Sequence, residues 1–108
     1  FQHPSNVYVF CSDDSGARKG VVSIGGVRCL NVLSLFYHLR ELGYEKAAIE
    51  PYFDSYEAFV TRTGTQTTFK VWRKVSAPQR CKIGCRQVFD DIYDGKFKLR
   101  KTGDLEYI

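Results

Sequence analysis

The sequence predicts an α+β fold, with one helix packed on one face of an antiparallel β-sheet. Three observations carry that expectation. Residues 27–42 hold the one convincing apolar repeat at three- and four-residue steps, through Val27, Leu30, Leu33, Phe36 and Leu39. The segments on either side are rich in Val, Tyr, Phe and Thr, the residues that suit a pleated surface. Gly, Pro and Asp punctuate those segments at short intervals, as turns require.

Taken in order, residues 6–11 read as a strand and 12–20 as a polar loop containing Gly16 and Gly20. Residues 21–24 read as a second short strand, and Gly25-Gly26 as a turn. The helix over 27–42 ends where Gly43 supplies a C-cap. Residues 47–50 read as a strand end broken by Pro51. Residues 56–63 and 67–75 have strand composition, and 63–66 resemble the hairpin connection between them. Residues 76–84, with Pro78, read as a loop. A strand over 85–90, a turn over 91–95, a strand over 96–101, a turn over 102–104 and a last strand over 105–108 complete the chain.

A chain of 108 residues is expected to form one domain, 1–108, since a second core needs roughly another 100 residues. The apolar stretches fall far short of the ~20 residues of a membrane helix, so no spanning segment is expected. The chain contains no Met, which fits a processed product, secreted after removal of its leader. Its net charge of +4 permits contact with nucleic acid or an acidic surface without demanding it.

The four cysteines are Cys11, Cys29, Cys81 and Cys85. In a secreted protein an even count implies disulfides, and two bridges allow three connectivities. The alternative is a set of buried thiols. Zinc is disfavoured, because Cys81 and Cys85 have no second close pair to complete four ligands. No cofactor is expected. Gly25-Gly26 lacks the spacing and the Lys of a phosphate loop. His3 and His38 are isolated, and Asp13-Asp14 and Asp90-Asp91 read as turn residues. Glu50 and Glu57 are the more informative acids, since they flank the aromatic segment 51–59.

That segment resembles part of the fungal guanyl-specific ribonucleases. Asp54-Ser55-Tyr56-Glu57-Ala58-Phe59 is similar to their Asn-Asn-Tyr-Glu-Gly-Phe element. Cys85-Arg86-Gln87-Val88-Phe89 is similar to their Asp-Arg-Val-Val-Phe strand, and Arg100-Lys101-Thr102-Gly103 to their His-Thr-Gly ending. The order and spacing agree over roughly residues 27–103 and imply a microbial ribonuclease-like scaffold. The reaction needs a general base for the 2′-hydroxyl and a general acid for the leaving oxygen. The resemblance puts Val71 at the Glu position and Lys101 at the His position, and leaves Arg86 at the phosphate-binding Arg. Val cannot accept a proton, and a Lys with an ordinary pKa near 10.4 is a poor acid at neutral pH. No catalytic residue is therefore expected.

A ribonuclease-like scaffold with an emptied site resembles the RNase-like secreted effectors of powdery mildew fungi. Tyr8-Val9-Phe10-Cys11 is similar to their N-terminal aromatic-x-Cys element, with Val9 in the aromatic place. The resemblance implies a secreted, monomeric protein acting in the plant host cell, binding a host protein and recognised by an intracellular immune receptor. It also implies a disulfide from Cys11, here to Cys81 or Cys85. The alternative function is a non-catalytic RNA-binding module. Arg86, Lys101, Tyr56 and Glu57 are the candidate RNA- or phosphate-binding residues. Arg73, Lys98 and Arg100 are further candidates for a basic patch, with Lys98 and Arg100 on one strand face. Tyr52, Phe53, Tyr56 or Trp72 are candidates to stack on bases. An active nuclease would need a rearranged site, with Glu57, His38 and Arg86.

Overall fold

The computed structural model describes the backbone of residues 8–65, 67–74 and 78–108, and the side chains of all of these except 74, 78 and 79. Its elements in chain order are β1 (Val9–Cys11), α1 (Ser15–Ile24), β2 (Arg28–Leu30), α2 (Val32–Glu41), α3 (Lys46–Thr63), β3 (Thr68–Lys74), β4 (Pro78–Gly84), α4 (Cys85–Tyr93), β5 (Phe97–Leu99) and β6 (Leu105–Tyr107). The fold is α+β, as expected, but it holds four helices among the described residues instead of one. Its sheets are mixed. β1 and β2 pair in parallel, and a four-stranded sheet runs β4-β3-β6-β5. Within it β3 and β4 are antiparallel, β3 and β6 parallel, and β5 and β6 antiparallel.

Each departure from the expected elements has a local cause. Residues 15–24 form a helix where a loop and a strand were expected. The Asp14 carboxylate caps it by accepting from the Gly16 amide at 2.9 Å, and Gly25 closes it with a φ of 83°. Gly16 and Gly20 look like breakers in the sequence, but neither needs a positive φ here. The helix expected over 27–42 begins at Val32, because residues 28–30 pair with β1. Asn31 then caps it, with the reciprocal Ser34–Asn31 bonds of a capping box at 2.7 and 2.8 Å. Its end is as expected: Gly43 follows with a φ of 98°.

The largest correction lies in residues 46–63, expected as strand ends around Pro51 and a strand over 56–63. They form the long helix α3. Ile49, Phe53, Tyr56 and Val60 recur at steps of four, three and four and face the core. Gly64 caps its end with a φ of 69°, so residues 63–65 are a helix terminus rather than a hairpin, and Gln66 lies outside the described residues. Residues 85–90 likewise belong to a helix, α4, through Cys85, Val88, Phe89 and Ile92. That helix runs through Tyr93, so the turn expected over 91–95 is confined to its end. Residues 78–84, expected as a loop, form β4. Pro78 is tolerated at the first position of an edge strand, opposite Lys74. Residues 6, 7 and 75–77 of the expected segments lie outside the described residues.

The core lies between the inner face of the sheet and helices α2, α3 and α4. Phe36, Phe53 and Phe89, one from each helix, meet at ring distances of 4.3–5.6 Å. Such ring pairs add about 0.5–1.5 kcal/mol each beyond their area. From the sheet come Val71, Phe97 and Leu105. Arg18 of α1 ties the N-terminal unit to the β5–β6 turn. It is 3% exposed and donates to the carbonyls of Ser12 and Thr102, both at 2.7 Å, and to Asp104 at 3.0 Å.

The same turn holds Gly103 at a φ of 89°, where an added Cβ would come within 2.8 Å of the Cys29 carbonyl oxygen. Gly64 has a similar φ but open space around it. Gly103→Ala is therefore expected to lower stability by ~3 kcal/mol and Gly64→Ala by ~1 kcal/mol. Urea denaturation of the two variants checks this, and equal losses would refute the close approach.

Candidate functional site

Side chains directly opposite in an antiparallel pair share a face. The β3–β4 register sets Lys70 opposite Lys82 and Trp72 opposite Arg80. Trp72 also neighbours Glu106 of β6, which faces Lys98 of β5. These six side chains therefore share the outer face of the sheet, away from α2, α3 and α4. Arg100 follows β5 and folds back over the same face, its guanidinium 3.8 Å from the centre of the Trp72 ring. The Arg80 guanidinium lies 5.5 Å from that ring.

Glu106 is the one carboxylate in this group, and it is 7% exposed. It accepts from Arg100 Nε at 3.1 Å and pairs with Lys98 Nζ at 3.8 Å. Among the described residues, five cations (Lys70, Arg80, Lys82, Lys98 and Arg100) against Glu106 leave four positive charges on this face. Lys70 and Lys82 carry no ion pair among the described residues. Like charges directly opposite in a sheet are destabilising. Trp72 Nε1 is buried without a hydrogen-bond partner among the described residues.

Two concavities adjoin this face. One, of about 330 Å³, is lined by Lys70, Arg80 and Lys82 together with Ser15, Arg18 and Asn31. The other, of about 490 Å³, lies between the Gly25-Gly26 turn and the β5–β6 turn, with Arg28, Arg100 and Lys101 at its rim.

The structure places the candidate residues from the sequence in different settings. Arg86 stands in the first turn of α4, not on a strand. It is held by carboxylates spaced at i, i+4 and i+7 on α3: Glu50 at 3.1 Å, Asp54 at 2.6 Å and Glu57 at 2.6 and 3.2 Å. Its guanidinium also lies 4.7 Å from the centre of the Phe53 ring. The hydrogen bonds to Glu57 and Asp54 hold Arg86 firmly protonated. Arg86 and Glu57 are thus a clamp between α3 and α4, and the guanidinium expected to bind phosphate is held by three carboxylates. Tyr56 is half-buried beside this clamp. Its hydroxyl has no hydrogen-bond partner among the described residues, and burial, with Asp13 and Cys85 adding, pushes its pKa up to about 12. Val71 is core, 1% exposed, while Lys101 is exposed in the β5–β6 turn.

Of the expected basic patch, Lys98 and Arg100 do come together. Arg73 does not join them. It projects from the opposite face, over the Tyr107 ring and toward Cys81 Sγ at 3.1 Å. His38 is buried on α2 and accepts from Arg28 Nη1 at 3.0 Å, so no hydrogen bond joins it to the Arg86–Glu57 clamp. Phe53 is core and Tyr52 is exposed. His3 lies outside the described residues. Sequence reading missed Lys70, Arg80 and Lys82. Their signal was the alternation of Arg80 and Lys82 with Cys81 and Ile83, hidden by reading Pro78 as the mark of a loop.

All four cysteines are free thiols, so the expected disulfides are absent. Cys11 and Cys29 sit on neighbouring parallel strands one register step apart, which points their side chains to opposite faces. Cys29 Sγ lies 3.6 Å from the Arg18 carbonyl oxygen. Cys81 lies on the inner face of β4 opposite Val71, and Cys85 is buried at the start of α4. Burial, with the Glu57 charge adding, raises the Cys85 thiol pKa. Among the described residues no group of three or more His, Cys, Asp or Glu side chains is arranged to hold a metal ion, and no helix is long and apolar enough to cross a membrane.

The three segments that carry the ribonuclease resemblance fall on α3, on α4 and in the β5–β6 turn. Only Val71, of the three compared site positions, stands on a strand. Comparison of the chain with protein-family models, with curated proteins and with solved structures finds no match.

Two predictions follow from the clamp and its neighbour. Arg86→Gln leaves Glu50, Asp54 and Glu57 facing one another and is expected to cost about 1–2 kcal/mol, an exposed pair's value raised by the shared network; thermal melts check it. Tyr56→Phe removes an unpartnered buried hydroxyl and is expected to stabilise by about 1 kcal/mol at pH 7. A folded pKa raised above the ordinary value near 10 adds stability below pH 10 that is lost as pH rises toward 12. Urea midpoints at pH 7 and pH 11 should show Tyr56→Phe losing less than the parent on that step.

Proposed function

We propose that this chain acts by binding rather than by catalysis, as an RNase-like secreted effector would, and that its ligand on the outer sheet face is single-stranded RNA. The observation that carries the reading is the Lys70–Lys82 pair beside the Trp72–Arg100 stack. It combines unneutralised cations for phosphates with flat groups for bases. Arg100, stacked on Trp72 and oriented by Glu106, presents a guanidinium plane of the kind on which unpaired bases stack. The lysines supply point charges along a backbone path. The side chains at the positions that the ribonuclease resemblance compares support the non-catalytic reading. Val71 has no group to take a proton, and Arg86, whose counterpart would hold the phosphate, is engaged by three carboxylates.

A second reading, binding to a host protein, is favoured by one observation. Tyr52 is 71% and Phe59 53% exposed, and they stand seven residues apart on one side of α3. Exposed aromatics in a stripe are the usual anchors of a protein interface. This stripe is separate from the sheet face, so both contacts are compatible with one effector.

Fluorescence anisotropy with a labelled single-stranded RNA, titrated at several salt concentrations, tests the first reading. Affinity is expected to fall steeply with salt. Lys70→Gln should weaken binding several-fold and lower the log–log slope by about 0.7, the share of one phosphate on a single strand. Arg100→Ala should weaken binding with less change in slope. Arg86→Gln should bind as the parent does, and the RNA should remain uncut. Salt-independent binding, or an equal loss in Arg86→Gln, would refute the assignment to this face.

A further inference from the structure

The basic face does not run freely off the sheet at its Lys70–Lys82 end. It meets the β1–α1 loop and the Asn31 cap, which wall the 330 Å³ pocket. Four cations line that pocket, Arg18, Lys70, Arg80 and Lys82, against two carboxylates, Asp13 and Asp104, a balance of 4 − 2 = +2. Arg18 and Asp104 neutralise each other at 3.0 Å. Asp13 Oδ1 is occupied by the Val32 amide at 3.0 Å. The remaining excess therefore rests on Lys70, Arg80 and Lys82, none of which has an ion pair among the described residues. Ser15 and Thr68 also line the pocket, and their hydroxyls suit phosphate oxygens.

The charge and the shape select the same kind of group. An internal phosphodiester carries one negative charge and must continue in two directions. A phosphomonoester carries about −1.5 to −2 near neutral pH and presents three acceptor oxygens. It also continues in only one direction, which fits a pocket walled at the end of an open face. We propose that this pocket binds the terminal phosphate of an RNA strand whose bases lie along the Trp72–Arg100 surface. The inference rests on the RNA reading of that face. Under it the protein selects strand ends, with Lys82 as the residue that sets the preference.

The experiment uses one single-stranded RNA sequence in three forms: 5′-phosphorylated, 3′-phosphorylated, and with hydroxyls at both ends. Each is titrated by anisotropy into the full chain, into Lys82→Gln and into Arg100→Ala. Lys82 is exposed, so the substitution leaves the core intact. One of the two phosphorylated strands is expected to bind about ten-fold tighter than the hydroxyl-ended strand, and which one wins gives the strand polarity. Lys82→Gln should weaken the hydroxyl-ended strand several-fold, as loss of one phosphate contact does, and the phosphorylated strand by about ten-fold more, which abolishes most of the preference. Arg100→Ala should weaken all three forms alike. Equal binding of the three forms by the parent chain would overturn the pocket assignment and leave the RNA reading standing. A preference that survives in Lys82→Gln would overturn it as well. Failure of every strand to bind would overturn both.

Discussion

A guanidinium buried to the depth of Arg18 must find acceptors for its N–H groups or cost several kcal/mol in lost hydration. Arg18 finds them in two parts of the chain that are far apart in sequence: the Ser12 carbonyl that follows β1, and the β5–β6 turn, through the Thr102 carbonyl and the Asp104 carboxylate. That one side chain sets where the β1–α1–β2 unit sits against the C-terminal sheet. The consequences reach the candidate site. Asp104 accepts Arg100's backbone N–H through its own carbonyl, so the turn held by Arg18 is the turn that swings Arg100 over Trp72. Arg18 also forms part of the pocket wall beyond Lys70 and Lys82.

The arginines of this protein show how little a count of charges says about where charge is available. Arg18 and Arg86 are each surrounded by acceptors and serve as joints, one between α1 and a turn, the other between α3 and α4. Arg28 is engaged by His38 and Glu41. Arg80 lies beside the Trp72 ring and has no ion pair among the described residues, while Arg100 is aimed by a buried carboxylate. A formal charge of +4 thus divides into internal pairs that cancel and a face where the surplus collects. The division is made by register. Because side chains alternate along β3 and β4, Lys70 and Lys82 must share a side with Trp72 and Arg80, while Phe69, Val71, Cys81 and Ile83 turn inward.

The class of fold was legible, and so were α2, β3, β5 and β6, because each carries one signal without competition. The apolar repeat of α2 ends at Gly43, and β3 is a run of strand formers with inward Phe69 and Val71. What was misread has physical causes. In α3 the aromatic residues that favour strands also fall at helical spacing, and Pro51 looks like a stop although it lies within two turns of the helix start. In α4 the motif resemblance suggested a strand, whereas Val88, Phe89 and Ile92 repeat as a helix does. The candidate site was half legible for the same reason. Lys98 sits on a strand that was recognised, with Arg100 just past its end, and Lys70 and Trp72 sit on another. Arg80 and Lys82 sit on β4, the strand hidden by its first-position proline.

The order β4-β3-β6-β5 places the element that comes last in the sequence in the middle of the sheet. β3 and β4 can pair as soon as both exist, since they are neighbours along the chain. β5 has no contact with β3 except through β6, and β6 joins β3 across some thirty residues of sequence. Loop-closure entropy makes that parallel joint the slower one. Glu106 and Arg100 belong to the β5–β6 hairpin and can meet within it, whereas the Trp72 ring comes beside them only through the β3–β6 pairing of Trp72 with Glu106. The outer face is thus shared between two hairpins, and the single β3–β6 joint is what makes one surface of them.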